Sequence, residues 1–168
     1  MTDPRIAHFQ MLARYNRLAN ARLFGACAGL SEAELKRPRR AFFTSIHGTL
    51  NHILLGDRIW LARFEGGEVP STGLDAILYE DFAGLGAARE AEDARIEAFA
   101  AGLVPEFLAG SIRYVNNAGL GFDDPIDLLL THLFNHQTHH RGQITDLLMQ
   151  TDIRPPVLDL HRVLKPDP

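Results

Sequence analysis

The stretch Leu129-Leu130-Thr131-His132-Leu133-Phe134-Asn135-His136-Gln137-Thr138-His139-His140-Arg141-Gly142-Gln143-Ile144-Thr145-Asp146-Leu147 decides how the chain is read. Stepped at about 100° per residue, Leu129, Leu133, Ile144 and Leu147 form one apolar stripe of an amphipathic helix. His136 and His140 fall inside that stripe; His132, His139 and Gln143 fall at its rim. Residues four apart lie one above the other on a helix, so His136 and His140 present their rings on one face, a turn apart. A helix offers two imidazoles to one metal ion by this spacing. The competing reading is a pair of separately hydrogen-bonded core histidines. Each ring would then need its own partner inside an apolar interior, or carry the cost of an unsatisfied buried polar group.

Working outward, this helix is expected to begin at Asp123 or Asp124, with Pro125 in its first turn. It runs to about Thr151, before Pro155-Pro156. Three more segments carry helical periodicity. The first spans Arg5 to Gly29, with Asp3 as cap, Pro4 at the first helical position and Gly29 suited to its end. The second runs from Thr44 or Ser45 to Glu65, where Gly66-Gly67 stops it. The third spans Tyr79 to Ala101 and is closed by Gly102 and Pro105. Between the third and fourth, Phe107, Ile112, Tyr114 and Val115 with Asn116-Asn117-Ala118-Gly119 predict a short hairpin or extended excursion. There is no internal repeat and no low-complexity tract. The pattern predicts an all-α four-helix bundle, one domain over residues 1–168, with its helices packed antiparallel.

Bulk properties agree. A length of 168 residues suits one domain with a core that needs no staples. The apolar share of 46 % and charged share of 23 % are ordinary for a globular protein. The net charge of -4 and the pI near 6.0 argue against a nucleic-acid partner. The one basic cluster, Lys36-Arg37-Pro38-Arg39-Arg40, reads as a solvated connector. Cys27 is the sole cysteine, so no intrachain disulfide is possible; it reads as a small core residue, and a reducing cytoplasm fits. No apolar run approaches the roughly 18 residues of a membrane span. The start, Met1-Thr2-Asp3-Pro4-Arg5, lacks the layout of a signal peptide. Eight histidines is a high count, and four lie between positions 132 and 140.

The second helix supplies a third ligand candidate. Its polar arc is marked by His47, Asn51 and Arg58, whereas His52 lies on the flank of Ile59 and Trp60. His47 is therefore expected to face solvent and His52 to face inward. Three imidazoles leave a divalent ion open to water or substrate, as in a catalytic rather than a closed structural site. The ligand set suits Zn, Ni, Cu or Fe and does not choose among them; Zn or Ni is the expected ion.

Some polar residues fall where the pattern wants apolar ones. Asn16 and Asn20 lie on the helix-one face made by Phe9, Leu12, Ala13, Ala19 and Leu23. Asp57 lies among Ile46, Leu50, Ile53, Leu61 and Phe64. Buried amides and carboxylates need partners. The favoured reading is hydrogen bonds between elements that fix packing; the other is groups that orient metal-bound species. Tyr114 either reaches the site as a donor or acid, or is a half-buried aromatic. Leu55 and Ala62, apolar and outside the main stripe of helix two, are candidate contacts in a homodimer.

Three strings together resemble the DinB (YfiT-like) family of bacterial proteins, and the resemblance covers nearly the whole chain. They are Tyr15-Asn16-Arg17-Leu18-Ala19-Asn20, Ser45-Ile46-His47-Gly48-Thr49-Leu50-Asn51-His52 leading to Asp57-Arg58-Ile59-Trp60, and the specific string His132 to Gln143. The resemblance implies an up-and-down-type four-helix bundle, often a homodimer, with a three-histidine metal site. It assigns the ligands to His52, His136 and His140. It also implies metal-dependent transferases that use low-molecular-weight thiols, related isomerases, and members with no known activity.

The leading expectation is thus a metal-dependent enzyme in which the ion activates a thiol or water and the thiol attacks an electrophile. The alternatives are a non-catalytic, stress-related metal-binding dimer, a metal-dependent hydrolase, and a plain bundle with satisfied core histidines. The expected small-molecule partner is a thiol or an electrophile, with neither nucleic acid nor membrane.

Overall fold

The computed structural model describes residues 3–116 and 118–165. Four long helices dominate: α1 (Pro4–Cys27), α3 (Ile46–Glu65), α4 (Phe82–Ala101) and α6 (Ile126–Leu148). Between and after them lie three short helices, α2 (Glu32–Lys36), α5 (Pro105–Leu108) and α7 (Leu160–Leu164). A hairpin of β1 (Ser111–Val115) and β2 (Gly121–Pro125) precedes α6.

Local chemistry sets the starts. The Asp3 carboxylate accepts from Arg5 N, with Pro4 in the first turn. Ser45 Oγ accepts from Gly48 N at 2.9 Å, and Asp81 Oδ1 accepts from Gly84 N at 2.6 Å. The third long helix therefore starts at Phe82 and not Tyr79, whose backbone is held by Asn51 instead. The fourth starts later than expected as well. Asp123 and Asp124 belong to β2, paired with Arg113 and Ile112 across the ladder. Arg113 donates to Asp123 and Tyr114 to Asp124, so these carboxylates serve the hairpin and do not cap the helix. That helix stops at Leu148, short of Thr151, and α1 stops at Cys27, short of Gly29. The hairpin matches the expected excursion, though its return strand lies beyond the Asn-Asn-Ala-Gly turn; Asn117, Met1 and Thr2 lie outside the described residues.

The neighbouring helices are not all antiparallel. Arg5 meets Asp127 and Asn16 meets Arg141, so α1 and α6 run parallel. Asp57 meets Arg89 and Glu65 meets Arg95, so α3 and α4 also run parallel. Only α1/α4 (Phe24 on Phe82, Gln10 on Ala100) and α3/α6 (Trp60 on His132, His52 on His140) are antiparallel. A parallel neighbour requires a connection that travels the helix length. Residues 66–81 make that crossover from α3 to α4.

Two apolar clusters fill the bundle. One gathers Phe9, Leu61, Phe64, Ile96, Leu130 and Leu133; the other gathers Leu23, Leu50, Leu54, Leu85, Ile144 and Leu147. Each buried Leu or Phe contributes roughly 1.5–3 kcal/mol. Between the clusters lies a polar band. Asp57 takes Arg89 and Gln137; Asp93 takes Asn16 at 3.2 Å and Asn20 at 2.9 Å; Arg141 donates to Asn16, Asn20 and Gln137. These groups are helix-to-helix ties that fix packing, the reading favoured from sequence. Leu55 and Ala62 are buried inside the chain, so they supply no outer face for a dimer. The lone Cys27 is a buried free thiol, its pKa pushed up to about 12 by burial. In the basic connector Arg37 and Arg40 are exposed, while Arg39 folds onto Glu34.

Candidate metal centre

His52 on α3 meets His136 and His140 on α6 where the two antiparallel helices face each other. His136 and His140 sit one turn apart, as their spacing requires. His136 Nε2 is 3.1 Å from His52 Nε2 and 3.0 Å from His140 Nε2. One ligand atom from each of the three rings lies within 4.8 Å of the others, and these are the three residues that sequence reasoning singled out.

The far side of two of the rings decides their tautomer. His52 Nδ1 is 2.8 Å from the Leu74 carbonyl, and His140 Nδ1 is 2.7 Å from Gln143 Oε1. A carbonyl oxygen only accepts, so both Nδ1 atoms carry the proton and both Nε2 lone pairs point at the shared centre. His136 Nδ1 is buried without a hydrogen-bond partner among the described residues. A proton on His136 Nε2 would satisfy only one of the two facing lone pairs. A cation at the centre would satisfy all three nitrogens. Two nitrogens on a tetrahedral zinc at ~2.05 Å are about 3.3 Å apart. The observed separations of 3.0 and 3.1 Å need only a few tenths of an ångström of relaxation. The donor set fits a divalent ion.

Electrostatics agree. Burial, joined by mutual repulsion with His140 and His52, lowers the pKa of His136 to about 3. Burial lowers His140 to about 4 despite the Gln143 contact, and lowers His52 as well. All three rings are neutral at physiological pH, the state that a metal ligand requires.

The surroundings are apolar. Phe43 stacks flat on His52, with centroids 3.7 Å apart and planes 18° apart. Phe42, in contact with Phe43, is 84 % exposed, and Leu74 is 43 % exposed. On the other side His132 packs on Trp60 and lies 5.9 Å from the His136 ring. His139, at the rim, contacts Gln143. The loop that carries Phe43 is held by backbone bonds from Arg39 N to Thr44 O at 2.6 Å and from Thr44 N to Ala41 O at 3.0 Å, and Thr44 has φ 61°, a left-handed conformation that a β-branched residue rarely adopts.

One expectation fails here. His47 is 3 % exposed and not solvent-facing, and Asn51 is fully buried. The crossover lies over that arc of α3. Asn51 Oδ1 accepts from Leu78 N and Tyr79 N, and burial lowers the His47 ring's pKa. Tyr114 does not join the histidines: its hydroxyl bonds Asp124 and its ring meets Trp60. Asn16, Asn20 and Asp57 bond the buried charges instead. Sequence reasoning also missed Phe43, Leu74 and two glycines. Gly48 and Gly56 stand four residues either side of His52. A Cβ at Gly48 would lie 2.3 Å from the Phe43 carbonyl oxygen, so only glycine admits that loop. Glycine inside a helix costs roughly 0.5–1 kcal/mol against alanine, and that cost was the readable signal.

Fold and site define an all-α bundle with an inward histidine cluster that could hold a metal ion. The DinB family model matches residues 1–167, and the chain belongs to the DinB family. It is 30 % identical over 156 residues to "Protein DinB" of Bacillus subtilis (strain 168), covering 83 % of each chain. A crystal structure of a DinB-like protein from Bacillus cereus ATCC 10987 matches with a TM-score of 0.65 at 20 % identity. That match covers 85 % of this chain and 90 % of the other, and is a likeness of fold.

Proposed function

We propose that His52, His136 and His140 hold one divalent ion, zinc or nickel, and that the chain uses it as a transferase for a low-molecular-weight thiol. The observation that carries this reading is the convergence of three Nε2 atoms, two with their tautomer fixed from behind. A bound ion would supply Lewis acidity that lowers the pKa of a thiol or water. The chain's own residues do the rest. Leu74 O and Gln143 Oε1 hold two rings in place, and Phe43 keeps water from one face of His52. The exposed Phe42 and Leu74 offer a resting surface for an electrophile with an apolar body. The thiolate sulfur forms a bond to the electrophilic carbon and the thiol proton passes to solvent; a halide departs with its electron pair, whereas an epoxide oxygen keeps its pair, stays on the product and takes up a proton.

Within this reading the protein is cytoplasmic, which its single buried thiol suits. No helix among the described residues is long and apolar enough to cross a membrane. A homodimer belongs to the reading by resemblance alone, and sedimentation showing only the 18.7 kDa species would remove it.

The test is metal analysis of protein purified without chelator, followed by a screen of small thiols against activated aryl halides and epoxides. Stoichiometric metal with metal-dependent conjugation supports the proposal. Metal without turnover leaves the non-catalytic alternative, and thiol-independent cleavage of esters leaves the hydrolase. Wild-type protein that takes up no divalent ion overturns the reading altogether.

A further inference from the structure

Gly56 lies on α3 one turn beyond His52, directly under the His136 ring. A methyl group on its Cα would sit 2.8 Å from His136 Cε1, 3.4 Å from Nδ1 and 3.7 Å from Nε2. Real Cβ contacts do not approach that closely, so the ring would have to move away from α3. Elsewhere the site tolerates little movement, because His52 is clamped between Leu74 O and the flat face of Phe43 and His140 is tied to Gln143. His136 has no such tie: its Nδ1 bonds nothing among the described residues. What holds His136 is contact, and the bare backbone of Gly56 supplies it from below.

We infer that Gly56 is a positioning residue of the metal centre, a notch that admits the His136 ring and sets how close its Nε2 comes to those of His52 and His140. This inference rests on the metal reading above. The required displacement is about 0.6 Å, the shortfall of the 2.8 Å approach from an ordinary contact of about 3.4 Å. Ligand distances in a metal site are held within about 0.2 Å. The ring is the far end of a rotatable side chain, so it can swing aside and leave the fold intact. The site would be damaged and the bundle would not. By contrast, a methyl group added to Gly25 on α1 would meet nothing within 4 Å.

The test compares wild type, Gly56→Ala and Gly25→Ala by zinc competition with a chromogenic chelator, alongside cobalt(II) absorption and far-UV circular dichroism. Gly56→Ala is expected to keep its helicity, lose zinc affinity by about 10–100-fold, the usual effect of disturbing a ligand's support, and show altered cobalt bands. Gly25→Ala is expected to bind as wild type does. Zinc affinity of Gly56→Ala within about threefold of wild type, well short of that usual effect, overturns the inference, whereas wild type that binds no zinc overturns the metal reading instead. A stability cycle covers the case of a poorly folded variant. The three nearest obstructing atoms belong to the His136 ring, so in a His136→Ala background Gly56→Ala is expected to cost nothing. Equal destabilisation in both backgrounds would refute the notch.

Discussion

Replacing Asp57 by alanine tests the polar band in the middle of the bundle. Asp57 is fully buried, and its Oδ2 receives both Arg89 Nη1 and Gln137 Nε2. Arg89 is itself 2 % exposed, and Asp93 Oδ1, at 2.9 Å, is its other carboxylate. Burial pushes both the Asp57 and Asp93 carboxyls above their ordinary range, against the pull of Arg89. The intact pair therefore adds little net stability, because desolvation offsets attraction. Breaking it is another matter. Removing one partner of a buried pair costs about 3–5 kcal/mol, and that figure includes the uncompensated charge left behind. At ~2.1 cal/mol/K of unfolding entropy per residue, a chain of 168 residues has about 0.35 kcal/mol/K. Asp57→Ala is thus expected to lower Tm by about 9–14 °C, read by circular dichroism with urea unfolding as a second measure. Adding Arg89→Met removes the cation that Asp57 no longer meets and leaves Asp93 to Asn16 and Asn20; because Asp57 and Arg89 touch, the double variant should lose at least about 1 kcal/mol less than the sum of the single losses. A single-variant loss under about 1 kcal/mol, or strict additivity in the double, would refute this account of the band.

Other outcomes follow from the histidine cluster. Its folded pKa values, about 3 for His136 and about 4 for His140, lie below the ordinary 6.5. The stability of the metal-free protein should therefore be fully present above pH 6.5 and fall as pH drops toward those values. The slope is up to about 1.4 kcal/mol per pH unit for each proton that only the unfolded chain binds; denaturant titrations should show a shallower fall in His136→Phe. Zinc at about 100 times its Kd should stabilise by about 2.7 kcal/mol, or raise Tm by about 5–11 °C, with reversal by chelator; the same rise in His140→Ala would contradict the ligand assignment. His47→Ala should leave zinc affinity unchanged while lowering stability by about 1–3 kcal/mol, because a buried hydrogen-bonded ring is lost under the crossover; calorimetric titration and thermal melts separate the two effects.

Helical phase is a local property, and it was legible. The apolar steps from Leu129 to Leu147 place His136 and His140 inward whatever packs against them, and the flank of Ile59 places His52 on the side that meets α6. The four long helices, and four of their eight ends, follow from caps and breakers in the same local way. Phase does not say what covers a face. The phase of α3 alone puts His47, Asn51, Leu55 and Ala62 outside its apolar stripe. They are buried because the 66–81 crossover and the neighbouring helices lie over α3. That crossover exists because α3 and α4 run parallel, an arrangement in which pairs such as Asp57–Arg89 and Glu65–Arg95 join residues 30 or more positions apart. Asp123 and Asp124 resemble helix caps until Arg113 and Tyr114 claim them across the hairpin. The distances among three imidazoles, the Leu74 carbonyl behind one of them and the bare backbone of Gly56 beneath another depend on how two helices approach. Only the tertiary fold fixes that approach, since each contact joins segments whose local conformations are independent of one another.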